Sequence, residues 1–135
     1  MSDASSKPVQ KPHRLELQFL EGVRRRVPGH EPVLQALGHL YTRVGRYADG
    51  LQIDLELTRL QPEDDQNWYN LACSYALIGD REKALSALER AIQLGYDDAD
   101  WMRKDKDLAN LHGDPAFEEL VKRMTVRPRW NGSGG

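Results

Sequence analysis

The chain of 135 residues has a single cysteine, few aromatic residues and no long apolar run. The lone Cys73 excludes an internal disulfide, and with four scattered histidines it argues against a structural zinc site. A membrane span needs roughly 20 consecutive apolar residues, and a secretory signal needs an apolar core near the amino terminus. Neither is present in the sequence, so we expect a cytoplasmic protein with no metal, no cofactor and no membrane insertion.

An excess of charge of one sign is also missing. The chain carries 19 Lys and Arg against 21 Asp and Glu, which gives a formal net charge of −2. This balance argues against a general affinity for nucleic acid. The run Arg24-Arg25-Arg26 has two interpretations, docking to an acidic or phosphate-bearing surface or a favourable charge cluster at the negative end of a helix. The second interpretation is favoured.

An internal repeat of 34 residues organises the middle of the chain. At this offset the matching positions are mostly apolar, aromatic or small: Leu37 with Leu71, Gly38 with Ala72, Tyr41 with Tyr75, Gly45 with Gly79, Leu51 with Leu85 and Leu60 with Leu94. The same offset reaches backwards from Leu51 to Leu17. Half a repeat therefore precedes two full ones.

Each repeat is predicted to form two amphipathic helices, because its apolar residues recur every three or four positions. Gly45 and Gly79 are placed to end the first helix of each pair, and Asp80 to cap the next. Gly38 and Ala72 are small enough to let the paired helices approach closely. Asp54 interrupts the apolar pattern and is expected to be exposed or locally paired, with Ile53 and Leu55 supplying the missing burial.

The second full repeat has the spacing Trp-x-x-Leu-Gly-x-x-Tyr, followed by the small and apolar positions of a second helix. The residues at these positions are Trp68, Leu71, Ala72, Tyr75, Gly79, Ala84, Leu88 and Ala91. This pattern resembles the tetratricopeptide repeat family. Residues 34–62 match it more loosely, with Leu34 in the place of the tryptophan. The resemblance implies an all-α fold, a right-handed superhelix of about two and a half to three repeats.

After residue 95 the period fails. The positions equivalent to Leu71 and Tyr75 hold Asp105 and Ala109, although Trp101 or Met102 can serve as the anchor of a short third helix. The segment resembles the carboxy-terminal ending of many bacterial tetratricopeptide repeat proteins. Four apolar residues of a last helix that starts at Asp114-Pro115 are predicted to seal the core: Phe117, Leu120, Val121 and Met124.

These features divide the chain into three parts. Residues 1–12 and 126–135 are polar or rich in Pro and Gly, and they are predicted to be disordered. The repeat domain is predicted to span residues 13–125. Within it we expect a half-repeat helix at 13–27, repeats at 31–64 and 65–98, and a degenerate repeat with its cap at 99–125.

The resemblance implies that the first helix of each pair lines a concave groove that binds a partner protein or peptide. The candidate partner-binding residues are then Gln35, His39, Arg43, Gln66, Tyr69, Asn70, Cys73, Arg103 and Lys104. Asn70 offers a donor and an acceptor to an extended peptide backbone, but asparagine is also common on polar helix faces. Tyr69 either contacts a partner or packs against its own neighbours.

A clamp for the terminal carboxylate of chaperones, known in this family, is not expected. It requires Lys and Asn in the first unit, where Gln35 and His39 stand, and Lys and Arg in the third, where Asp100 and Lys104 stand. Only Asn70 matches, and Asp100 would repel a carboxylate.

Catalysis is not expected either. Cys73 and His39 occupy equivalent places on successive first helices, and a thiol with an imidazole can form a nucleophile. However, no third group is placed to orient the histidine, and no glycine-rich phosphate loop is visible. The sequence therefore predicts a non-catalytic adaptor or scaffold.

Two alternatives remain open. The first is self-association through one face of the half-repeat helix, formed by Leu15, Leu17, Phe19, Leu20 and Val23. The second is a linear motif in the carboxy-terminal segment, where Trp130 follows Arg127-Pro128-Arg129. The identity of a partner does not follow from the residues.

Overall fold

Short turns join consecutive helices along residues 11–126, the part that the computed structural model describes, with side chains from residue 13 to residue 125. The elements are α1 (Lys11–Arg26), α2 (Glu31–Arg43), α3 (Tyr47–Leu60), α4 (Asp65–Leu77), α5 (Arg81–Gln93), α6 (Ala99–Lys104), a 3₁₀ helix (Lys106–Leu111) and α7 (Pro115–Val126). Every regular element in this range is helical, which confirms the all-α prediction. None of these helices combines the length and hydropathy that crossing a bilayer would require.

The chain divides after Pro62 into two units. The amino-terminal unit contains α1 to α3, and the carboxy-terminal unit contains the remaining helices. The predicted disordered tails fall almost wholly outside the described residues, as does the Trp130 motif. The exceptions are residues 11 and 12, which begin α1, and residue 126, which ends α7.

Aspartate side chains start five of the helical elements. Their carboxylates accept hydrogen bonds from backbone amides that have no partner within the helix. The pairs are Asp64 with Gln66, Asp80 with Lys83, Asp98 with Trp101, Asp105 with Asp107 and Asp114 with Ala116. The predictions that Asp80 caps α5 and that Asp114-Pro115 starts the last helix are confirmed.

The turns between the paired helices depend on glycine. Gly45 has φ of 85° and Gly79 has φ of 88°, a left-handed conformation that other residues adopt at a cost. Each lies just after the last residue of a first helix, as the sequence predicts. The turn sends α3 back along α2, and α5 back along α4.

The core of the amino-terminal unit forms where α3 packs on α2. Leu37 and Ile53 are completely buried, and Leu57 is 2% exposed. A Cβ atom at Gly38 would lie only 3.3 Å from Ile53 Cγ2, so the glycine permits this close approach of the two helices. The predicted role of Gly38 is confirmed.

Of the two expectations for Asp54, an exposed or a locally paired acid, the first is wrong, because the residue is only 7% exposed. Its Oδ1 atom lies 3.5 Å from the position that a Cβ at Gly38 would take. The space left by the missing side chain thus accommodates the carboxylate. Ile53 supplies burial as predicted, whereas Leu55 is only half-buried.

α1 packs on the following pair through one side only. Leu17 is 3% exposed, so it does not belong to an open face as the sequence analysis expected. Arg24 forms a 2.7 Å ion pair with Glu56 of α3, and the Tyr41 hydroxyl donates to Glu21. One arginine of the basic run therefore holds α1 against its neighbours.

In the carboxy-terminal unit, small residues line the α4–α5 pair. Ala72, Ala76, Ala84 and Ala91 are completely buried. The end of this unit is closed by residues of the 3₁₀ helix and α7, among which Leu108, Leu111, Phe117 and Val121 are at most 1% exposed. The prediction that the last helix buries its apolar face is confirmed.

The structure decides between the two candidate anchors of the short third helix and adds an element after it. Met102 anchors α6, because it is fully buried. Trp101 is 50% exposed and does not serve as the anchor. A 3₁₀ helix at Lys106–Leu111, which the sequence analysis did not predict, follows α6. The carboxylate of Asp105 starts this additional element, because the chain leaves the α conformation there.

Candidate functional site

The first turn of α4 presents two amide side chains. Gln66 is exposed and Asn70 is half-buried one turn later, and Gln66 Nε2 donates to Asn70 Oδ1 over 3.1 Å. The bond engages the carbonyl oxygen of Asn70 and not its NH₂ group. That group has the chemistry needed to donate to a backbone carbonyl of a bound peptide.

Tyr69 and Cys73, also predicted to contact a partner, lie inside the carboxy-terminal unit. Tyr69 is 2% exposed and Cys73 is 8% exposed. The Tyr69 hydroxyl donates to Asp105 Oδ2 over 2.6 Å, and its ring stacks on Tyr96 with 4.4 Å between ring centroids. The chain's own return through Asp105 covers both side chains, so they are not available to a partner and we remove them from the set.

Asp105 is the residue of this region that sequence reasoning missed. It is 7% exposed, and its Oδ2 atom lies 3.7 Å from Cys73 Sγ as well as beside Tyr69. Its Oδ1 atom accepts from the amide of Asp107 over 3.0 Å. The available signal was an acid at the position equivalent to Leu71, together with two polar side chains, Tyr69 and Cys73, on the preceding first helix.

Burial governs the ionisation of this cluster. It raises the pKa of Tyr69 well above its usual range, with further contributions from Cys73 and Asp105, and it raises the pKa of Tyr96 to about 12. The pKa of Asp107 is raised by burial and then by the neighbouring Asp105 carboxylate. The ionised form of Asp107 is therefore disfavoured in the folded chain.

A pH dependence of stability follows for Asp107. Its folded pKa lies above its unfolded value, so between the two values the folded state binds more protons and stability falls as pH rises. We expect Asp107→Asn to raise the thermal midpoint at pH 7 relative to wild type, and this difference to shrink as pH falls towards the unfolded pKa. Melting curves at a series of pH values test this, and an unchanged difference at all pH values would contradict it.

The basic candidates lie at the end of α6. Arg103 and Lys104 are exposed, and Arg103 Nη1 is 3.9 Å from Asp100 Oδ1. Lys104 directly precedes Asp105, which bonds to Tyr69, so these basic residues belong to the same unit as Asn70.

In the amino-terminal unit the candidates share one helix face. Gln35, His39 and Arg43 follow one another at intervals of four residues on α2, and all three are exposed. Residues at this spacing lie above one another on a helix. The polar stripe predicted for this first helix is present on the surface of its unit.

Comparison with known proteins agrees with this architecture. The tetratricopeptide repeat signature matches residues 66–98, which contain nearly all of α4 and the whole of α5. The chain therefore contains a tetratricopeptide repeat over these residues. Repeats of this family are generally modules for binding other proteins.

One relative of this tetratricopeptide repeat protein is a chloroplastic protein from Arabidopsis thaliana. The two are 30% identical over 90 residues, which is 64% of the present chain. The chain spans only 27% of the length of that relative. The similarity therefore covers part of this chain and does not extend to the relative as a whole.

Potential metal ligands also meet in the buried cluster of the repeat protein. One ligand atom from each of Cys73, Asp105 and Asp107 lies within 4.8 Å of the others. However, the Asp105 oxygens already accept hydrogen bonds from the Tyr69 hydroxyl and the Asp107 amide. These bonds account for the buried carboxylate without a cation, and we assign no metal to it.

The proposed pairing of Cys73 with His39 gains no support from their surroundings. Cys73 is buried beside a carboxylate in one unit, and His39 is exposed on α2 in the other. A nucleophile needs both access to substrate and a base within hydrogen-bonding distance. Burial denies Cys73 the first of these.

Proposed function

We propose that this tetratricopeptide repeat protein is a cytoplasmic, non-catalytic adaptor that binds a peptide or helix of another protein through the polar faces of its first helices. The observation that carries the proposal is the hydrogen-bonded amide pair of α4, exposed Gln66 and half-buried Asn70, inside the segment that matches the family. Gln35, His39 and Arg43 form the corresponding polar face of α2.

The chemistry of these faces suits an extended backbone. Asparagine and glutamine amides each offer donors and an acceptor, which is what a peptide unit requires. Arg103 and Lys104 add positive charge in the same unit, so a partner segment with acidic side chains is favoured. Neither face carries the clustered basic and aromatic residues that bind nucleic acid strands.

Replacing Asn70 and Arg103 together by alanine is expected to weaken partner binding at least about tenfold, equivalent to about 1.4 kcal/mol. Peptides selected by the wild-type protein from a displayed random library provide the probe, and titration calorimetry provides the affinity. The thermal midpoint should change little, because both side chains are at least partly exposed.

The matched control is Ser86→Ala with Arg90→Ala. Both residues are exposed on α5, the second helix of the same pair. This variant should bind the selected peptides with wild-type affinity. If the two double variants bind equally well, the amide face of α4 is not the binding surface.

Self-association through α1 is the second candidate function. Leu15 is 58% exposed and Phe19 is 66% exposed, although Leu17 of the predicted face is buried. Leu20 and Val23 are half-buried. The surface available to a second subunit is therefore narrower than the sequence suggested and centres on Leu15 and Phe19.

A further inference from the structure

The 34-residue offset identifies equivalent positions on α1, α3 and α5. Phe19, Ile53 and Ala87 occupy one such position. Ile53 is completely buried and Ala87 is 3% exposed, whereas Phe19 is 66% exposed. This position of the repeat is thus buried in α3 and α5 and exposed in α1, where it holds the largest of the three side chains.

The reason for the difference is visible in the second member of the set. Ile53 packs against Gly38 of α2, where a Cβ would come within 3.3 Å of its Cγ2 atom. The position therefore faces a first helix that presents a small residue. α1 is equivalent to a second helix, and within the described residues no first helix precedes it.

α1 itself supplies a surface of the required kind. Gly22 lies three residues after Phe19 and seven after Leu15, so the three share one side of the helix. A Cβ at Gly22 would approach only the Arg25 and Arg26 side chains of the same helix, at 3.8 and 3.9 Å. This side of α1 thus combines a large exposed apolar side chain with a glycine that only the flexible ends of two arginine side chains approach.

We propose that α1 pairs in antiparallel orientation with α1 of a second copy of this chain, so that Phe19 of each copy packs over Gly22 of the other. This inference rests on the self-association candidate and specifies its surface. A twofold axis makes the contact self-complementary, because each helix carries both the large residue and the small one. The contact repeats the packing of Ile53 on Gly38.

Charge supports the antiparallel direction. With Phe19 over Gly22 of the other copy, residues 15 and 16 of one helix lie beside residues 25 and 26 of the second. Glu16 and Arg26 are both exposed, and the pairing brings these opposite charges together at each end of the contact. A parallel pairing in register would instead place Arg25 and Arg26 against the same arginines.

The pairing is tested with the full chain by sedimentation equilibrium over a concentration series. The weight-average mass of the wild type should rise with concentration from 15.4 kDa towards twice this value. A single helix pair buries less surface than a standard stable interface, so the rise should occur only at high concentration. Phe19→Ala should remain at the monomer mass throughout.

Gly22→Leu distinguishes this pairing from other contacts of α1. Leucine stabilises a helix relative to glycine, so the variant should fold with an unchanged or higher thermal midpoint, yet it fills the space that Phe19 needs and should stay monomeric. Leu60→Ala, at an exposed apolar residue of α3, is the control and should associate like wild type.

The outcomes separate the proposals. A wild type that stays monomeric at every concentration overturns both the pairing and the self-association candidate. Association that persists in either Phe19→Ala or Gly22→Leu overturns the Phe19–Gly22 contact and leaves self-association in place. Partner binding through α4 is measured by the Asn70 and Arg103 variant and depends on neither result.

Discussion

Replacing Phe117 by alanine is expected to lower the free energy of unfolding by about 4 kcal/mol. The ring is completely buried on α7 and lies 5.3 Å, centroid to centroid, from the ring of His112. Its removal takes away buried apolar surface and leaves a cavity that the surrounding helices fill only in part. Urea denaturation followed by circular dichroism measures the loss.

The control for this change is Glu119→Ala, at an exposed position two residues further along α7. An exposed substitution of this kind should alter the free energy of unfolding by no more than about 0.5 kcal/mol. If Phe117→Ala costs as little as the control, α7 does not close the carboxy-terminal unit. The role of the terminal helix as a cap would then have to be abandoned.

Asp105→Ala should destabilise the chain by about 3 kcal/mol. The change removes the acceptor of the Tyr69 hydroxyl, which remains buried, and a hydrogen bond to a charged group is worth about 1.5–3 kcal/mol. It also removes the carboxylate that starts the 3₁₀ helix, and loss of such a cap costs about 1 kcal/mol. Chemical denaturation at neutral pH gives the total.

Asp98→Ala isolates the capping contribution, because Asp98 caps α6 but is exposed. We expect a loss of about 1 kcal/mol for this control. Tyr69→Phe, combined with Asp105→Ala in a double-mutant cycle, measures the coupling of the pair. Additive effects of the two substitutions would show that the Tyr69–Asp105 bond does not stabilise the fold.

The helical hairpins could be predicted because the residues that specify them act locally. Gly45 and Gly79 end helices through their own backbone conformation, and Asp80 caps through the next few amides. The spacing of Leu37, Leu71 and their equivalents fixes which helix side is buried. All these signals lie within a few residues of the structure that they determine.

The cluster at Asp105 could not be predicted in this way, because it depends on which distant residues meet. The family resemblance placed Tyr69 and Cys73 among the residues that line the groove. This placement would be correct if another regular helix followed. Instead the chain leaves the α conformation at Asp105, and the carboxylate comes to lie against both. The burial of Asp54 has a similar origin, since the space beside it comes from Gly38 on another helix.

The buried cluster draws only on the last regular repeat and the segment that follows it, since Tyr69, Cys73 and Tyr96 all lie within residues 65–98. A tandem duplication of this repeat would place a fresh set of the three in front of Asp105. The number of repeats can therefore change without any alteration to the segment that terminates the array. Growth by duplication and closure of the end are thus encoded independently.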